Sequence, residues 1–449
     1  MFLKYQLVWY TSSELQTLNL CGHITQCCLA EKRFNPRRSK GGKSVSNVVT
    51  VHHYAQRHQG LYAFPKAYAA NYMSYDGIDR RVTDGARWPK DLRFTGALKS
   101  AKRQDCAVEA VLNELEASPQ QGCVLALPCG FGKTVCALAI ACVLRRKVFV
   151  LVHTTFLAQQ WAARCMEFVP GCKVHLWTGT CRLNADRDCH FGIGLMQTIH
   201  KLPSNLFANY GVLIIDECHH VPCATLQVCL PKFNARYSLG LSATPMRKDG
   251  LTDYLLWAVG PLAYQIAPSY AGVLMRPVWH HNALSPAPPY VSYEDRVQGD
   301  DVRNNKLCQI IRRIRMDPKR RLLVLTQRRM HAELLSGMLR DSYLMLGGEE
   351  HNLDEAGTHP IIVATYQLVS EGFDMPSLNT IVMAMPKQDL VQCIGRITRG
   401  ATDVISDDSM RPWLIDFVDA SYPPAMAKYR WRQELYRRLK LNIEPNSHW

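Results

Sequence analysis

Short apolar runs at 124–127, 147–153, 174–177, 192–196, 212–215 and 237–241 alternate with helical-period stretches between residues 91 and 265. A brief, unbroken apolar run bounded by turn residues is the pattern of a strand buried on both faces, and its regular alternation with helices predicts a doubly wound parallel sheet. Pro268, Pro277, Pro286, Pro288 and Pro289 interrupt the rhythm over 266–300, which predicts a linker or edge segment. The rhythm resumes over 301–420, with runs at 321–326, 343–346, 360–364, 380–385 and 411–417. Within 421–449, residues 424–441 read as a basic amphipathic helix with Met426, Tyr429, Tyr436 and Leu439 on one face, suited to packing on the second domain. Residues 1–90 lack a clear period; apolar runs at 2–10 and 48–52 suggest a small α+β accessory unit with a basic loop. The expected fold class is therefore α/β, with two parallel-sheet domains in tandem behind a small α+β unit.

Composition narrows the setting. Of 449 residues, 47% are hydrophobic and 20% charged, as in a globular protein with ample core. The 17 cysteines contain no C-x-x-C pair, and many sit inside the expected strands and helices, as small apolar residues would. That usage predicts an intracellular, reducing compartment. Cys21, His23, Cys27 and Cys28 cluster loosely but match no common zinc spacing. No apolar run reaches the roughly 18 residues that span a bilayer, and no signal-peptide pattern opens the chain, so no membrane partner is expected. The net charge of +15 favours a polyanionic partner. Basic residues concentrate in 301–340 and in 31–43; the latter fits a solvated loop as well as a phosphate-binding arm.

The chemistry lies at the ends of the apolar runs. Pro128-Cys129-Gly130-Phe131-Gly132-Lys133-Thr134 follows one run and opens the next. A Gly-rich turn between strand and helix gathers backbone N–H groups around an anion. Lys133 adds a charge for the β- and γ-phosphates of a nucleotide such as ATP, and the Thr134 hydroxyl suits Mg²⁺. The full phosphate-loop pattern has Gly where Leu127 stands. The apolar run 212–215 delivers Asp216 and Glu217, a metal-holding carboxylate and a water-polarising one, followed by Cys218 and His219. Ser242 and Thr244 end the next strand. Gln392, Arg396 and Arg399 share one helix face by spacing, and two arginines there call for an anion or carboxylates.

Taken in order, the phosphate loop, Asp-Glu-x-His, Ser-Ala-Thr and Gln-x-x-Gly-Arg-x-x-Arg resemble a superfamily 2 helicase with two RecA-like domains. Pro-Cys-Gly-x-Gly-Lys-Thr, Gly240 through Gly250, and 322–328 with His331 are similar to the XPB-like branch, which includes poxvirus-type transcript-release helicases of large DNA viruses. The first loop Gly is commonly absent there too. The resemblance spans about 92–420. It implies ATP and Mg²⁺ as cofactors, with Mg²⁺ on Thr134 and Asp216 and with Arg396 and Arg399 as arginine fingers. Gln104 would read adenine, although Lys102-Arg103-Gln104 lacks the aromatic usual before that Gln. Gly372 and Asp374 would touch nucleotide. His219, Ser242, Thr244, His153, Gln197, Thr198, Arg328 and Thr365 would couple to or contact nucleic acid. The implied track is DNA, as single strand or tailed duplex, with an RNA–DNA hybrid and RNA polymerase as further partners, in a nucleus or a viral replication site. Two other readings stand beside it: the motor subunit of a restriction or nuclease complex, and a catalytically silent subunit docked on a polymerase.

Overall fold

A computed structural model of the chain describes residues 2–4, 7–17, 61–73, 78–79, 87–179, 188–220, 224–246, 252–268, 270, 272–281, 291–347, 349, 352–370, 375, 377–387, 390–398 and 411–444. It divides into two compact units, Met1–Ile266 and Ala267–Trp449. The basic loop at 31–43, the Cys21–His23–Cys27–Cys28 cluster, Gly372, Asp374 and Arg399 lie outside the described residues.

The first unit is built on β5 (Gly122–Ala126), β6 (Val148–Val152), β7 (Val174–Trp177), β8 (Phe191–Leu195), β9 (Val212–Ile215), β10 (Tyr237–Ser242) and β11 (Leu262–Gln265), in the order β11-β5-β10-β9-β6-β8-β7. All pairs are parallel. Alternate residues feed two separate cores. Cys123, Leu125, Val148 and Val150 face one layer, while Val124, Phe149 and Leu151 face the other. This is why the runs read as continuous rather than alternating. A four-stranded sheet precedes it: β1 (Phe2–Lys4), β2 (Leu7–Thr11), β3 (Leu61–Pro65) and β4 (Ile78–Asp79), in the order β3-β2-β1-β4. The helix Lys66–Tyr72 then docks on the helix Thr252–Val259. Tyr68 meets Trp257 edge-on at 4.9 Å. The buried Lys66 Nζ donates to Ser238 Oγ at 2.7 Å, and that hydroxyl donates to the Val259 carbonyl.

The second unit repeats the plan with β12 (Leu274–His280), β13 (Leu322–Thr326), β14 (Ser342–Met345), β15 (Ile361–Thr365), β16 (Thr380–Met383), β17 (Trp413–Asp419) and β18 (Asn442–Ile443), in the order β14-β15-β13-β16-β17-β12-β18. The two units are thus tandem RecA-like domains, with a small α+β region at the N-terminus of the first.

Three strands of the two seven-stranded sheets were not legible in the rhythm. β11 and β18 are short, and β12 contains Pro277. Ladder parity explains how that proline is tolerated. Leu274 donates to Pro412 on the β17 side, whereas Met275 accepts from Glu444 on the β18 side. The missing N–H of Pro277 therefore faces the β18 side, beyond the last β18 pair at Met275 and Ile443. On that same side the Trp279 carbonyl accepts from Lys306 Nζ at 3.0 Å. The C-terminal helix, Pro423–Arg438, buries Tyr429 and Tyr436 against this sheet. Arg432 grips Asp416 of β17 with two bonds of 2.9 Å, and Tyr436 adds a third at 2.8 Å.

Candidate active site

In an open parallel sheet, function gathers at the C-terminal ends of adjacent strands. Here β5, β10 and β9 are neighbours, and they release the phosphate loop, Ser242 and Asp216 side by side. Leu127 is fully buried, and its N–H donates to the Ser242 carbonyl at 3.1 Å. It extends the ladder between β5 and β10 and plugs the core, so a side chain is wanted where the general motif has glycine. The turn that follows needs glycine twice, with φ of +78° at Gly130 and +89° at Gly132. Gly132 is the N-cap of the helix Lys133–Leu144, so Lys133 and Thr134 open its first turn. Pro128 and Cys129 carry the chain from Leu127 into that turn. Lys133 Nζ folds back to the Leu127 carbonyl at 3.3 Å.

Gln104 is buried and spends both ends of its amide on backbone. Nε2 donates to the Phe131 carbonyl at 2.7 Å, and Oε1 accepts from the Lys99 N–H at 2.8 Å. A Cβ on Gly132 would sit 2.4 Å from Gln104 Nε2. Beside it, half-buried Lys102 donates to the Gly130 carbonyl at 2.7 Å, with its Nζ 5.8 Å from the Phe131 ring centroid. The sequence reading gave Lys102 no role.

The acidic box is tightly built. Asp216 Oδ2 accepts from the Trp161 indole N–H at 2.8 Å, and Oδ1 accepts from the Glu217 N–H at 3.0 Å. Burial raises the Asp216 carboxyl above the usual carboxylate range, and the neighbouring Glu217 adds to the rise; the Trp161 bond and the Lys133 charge oppose it. Glu217 adopts φ +48°, a strained backbone for a side chain-bearing residue. His219 Nδ1 lies 3.1 Å from Ser242 Oγ and 3.3 Å from Glu217 Oε2. Ser242 Oγ also accepts from the Thr244 N–H at 3.1 Å. From His219 a ring relay continues: His220 at 4.2 Å, then His153 at 5.3 Å from His220. Gln197 donates to the His153 carbonyl at 3.3 Å, and Thr198 lies next to it in the short helix Met196–Ile199. Glu217, Ser242, His219, His220, His153 and Gln197 are thus parts of one contiguous network of contacts. Trp161 was legible only as part of a strand-contact segment. Its second role could have been suspected, because a buried indole N–H needs an acceptor.

In the second unit, Thr365 ends β15 directly opposite Thr326 of β13. Arg328 is exposed and pairs with Asp295 at 3.2 Å. His331 is buried between Thr326 Oγ1 at 2.8 Å and Asn304 Oδ1 at 3.0 Å. Gln392 and Arg396 lie on the helix Val391–Ile397. Arg396 is largely buried, and among the described residues its Nε has no hydrogen-bond partner.

Comparison with known proteins agrees with this geometry. A family model described as "Type III restriction enzyme, res subunit" matches residues 97–247, which contain the phosphate loop, the acidic box and Ser242–Thr244. The matched stretch resembles the motor domain of superfamily 2 helicases. The chain is 26% identical over 405 residues to a provisionally named ATP-dependent RNA helicase of Acanthamoeba polyphaga mimivirus, covering 85% of this chain and 75% of that protein. It is 30% identical over 147 residues to a DNA 3'-5' translocase, XPB2, of Sulfurisphaera tokodaii, covering 32% of this chain and 31% of that one. In fold it matches S. cerevisiae Dbp5 bound to RNA and ADP BeF3, with a TM-score of 0.57 at 13% identity over 76% of this chain and 89% of that one. The chain is thus similar to ATP-dependent nucleic-acid motors over most of its length.

Proposed function

We propose that the chain is an ATP-dependent translocase or helicase on DNA, acting in transcript release or in replication and repair of a viral type. The observation that carries this reading is the single sheet edge on which Lys133, Ser242, Asp216 and Glu217 stand together. The donor set suits Mg²⁺: Thr134 offers a hydroxyl on the loop, and the desolvated Asp216 beside Glu217 is relieved by a cation. Thr134 and Asp216 would hold that ion, whose contribution is to neutralise charge on the transferring phosphate. Lys133 holds the β- and γ-phosphates, with the loop N–H groups around them. Glu217 orients water for in-line attack, and His219 reports the state of that carboxylate to Ser242 and, through the histidine relay, to the strand-facing side. The resemblance assigns Arg396 a guanidinium for the transferring phosphate; among the described residues its buried Nε has no partner, and such a donor calls for an acceptor. Gln392 and Arg399 extend the same segment. The net charge of +15 supports a polyanionic track. The twelve described cysteines are all free thiols, which supports an intracellular, reducing setting.

Phosphate release measured in parallel with single-stranded DNA, duplex DNA and RNA, together with strand displacement from tailed duplexes, tests the reading. Stimulation by single-stranded or tailed DNA is expected; stimulation by RNA alone moves the track to RNA. Hydrolysis that survives Lys133→Ala overturns the site itself. The restriction-type family description favours a second reading, the motor subunit of a nuclease complex, and cleavage of the DNA in the same assay would establish it.

A further inference from the structure

A phosphate loop grips an anion with its N–H groups, so its carbonyls point the other way and need partners of their own. Two successive carbonyls here are capped from one short segment. Lys102 holds Gly130 O at 2.7 Å, and Gln104 holds Phe131 O at 2.7 Å. The segment is shaped for this purpose. A 3-10 turn, Ser100–Lys102, ends at Arg103 in the left-handed region with φ +51°, and the helix Gln104–Ala117 begins at once. That reversal brings side chains two positions apart onto neighbouring peptides of the same loop. The Gln104 carbonyl oxygen is itself fixed by the Lys99 N–H, so each end of this amide already holds a backbone partner.

We infer that Lys102 is a positioning residue for nucleotide binding: its ammonium caps the Gly130 carbonyl and, with Gln104, presets the phosphate loop regardless of which base the nucleotide carries. The inference rests on the proposed nucleotide site. Because the bracket acts on the loop and not on the base, its removal weakens ATP, ADP and GTP alike. Loss of a charged hydrogen bond at a half-buried position is expected to raise Kd about five- to tenfold. Turnover at saturating ATP should stay within about twofold, because an ordered loop is recovered once nucleotide is bound.

The test is fluorescence titration of the full chain with labelled ATP, ADP and GTP, alongside steady-state hydrolysis, for wild type, Lys102→Met, Lys102→Arg and Gln104→Ala. Expected are equal losses for the three nucleotides in Lys102→Met, a raised KM with kcat largely kept, and recovery in Lys102→Arg, which can still donate to the carbonyl. Gln104→Ala should also weaken all three equally. An unchanged Kd in Lys102→Met, or a loss confined to adenine nucleotides in either variant, overturns the inference. Melting curves check folding, and Lys102→Ala replaces Lys102→Met if the latter does not fold. A failure of Lys133→Ala to stop hydrolysis would strike the proposed function instead, and the binding titrations separate the two.

Discussion

At the scale of the residue, the site depends on a few positions that ordinary substitutions cannot fill. Gly132 is one: its φ of +89° and the 2.4 Å approach of Gln104 Nε2 act together against a Cβ. Gly132→Ala is expected to weaken ATP binding by more than about tenfold, measured by titration, and to lower the melting temperature as well. Trp161 is another. Trp161→Phe keeps the bulk but removes the N–H that aims Asp216, so the Mg²⁺ concentration giving half-maximal hydrolysis should rise about 10- to 100-fold. Glu217→Gln should lower phosphate release about 10²- to 10⁴-fold while nucleotide and single-strand binding persist; undiminished turnover would remove Glu217 from its role. Much of this was legible, because the phosphate loop and acidic box have side chains fixed by their chemistry. The Trp161 and Lys102 contacts were not, because they depend on which helix face meets the site, and that is decided by tertiary packing.

At the scale of the element, polar groups inside the second unit set its stability. His331 sits between Thr326 and Asn304, and burial lowers its pKa from the ordinary 6.5 to about 3, with the Arg303 charge adding to the fall. The folded chain refuses a proton that the unfolded chain accepts. The stabilisation is therefore complete above pH 6.5 and lost progressively as pH falls toward 3. The loss approaches about 1.4 kcal/mol per pH unit below 6.5. Between pH 7 and pH 5 the wild type should lose more melting temperature than His331→Asn; equal losses would refute the assignment. The Arg432–Asp416 pair makes a second case. Arg432→Met strands a buried carboxylate and should cost about 3–5 kcal/mol, whereas adding Asp416→Leu should recover most of it, as read by chemical unfolding. The sequence showed the helix face bearing Tyr429 and Tyr436 but not this pair, since arginine on an amphipathic helix reads as solvent-facing. In the same way Pro277 read as a break, because the parity that spares it belongs to the neighbouring strands rather than to its own.

At the scale of the molecule, the excess positive charge makes affinity for nucleic acid depend on salt. A grip on about four phosphates of a single strand predicts a log–log slope near −3, and a slope near zero would argue against a backbone-tracking motor. Each unit carries its own pair of cores around its own sheet, so residues 267–449 produced alone should unfold cooperatively. The margin of the second sheet has a consequence for solubility. Beyond Met275 the outward groups of β12 make a broken template: Pro277 has no hydrogen to give, and Lys306 already occupies the Trp279 oxygen. A second chain arriving there meets an interrupted row of donors and acceptors, which disfavours annealing at the place where this architecture would otherwise invite it.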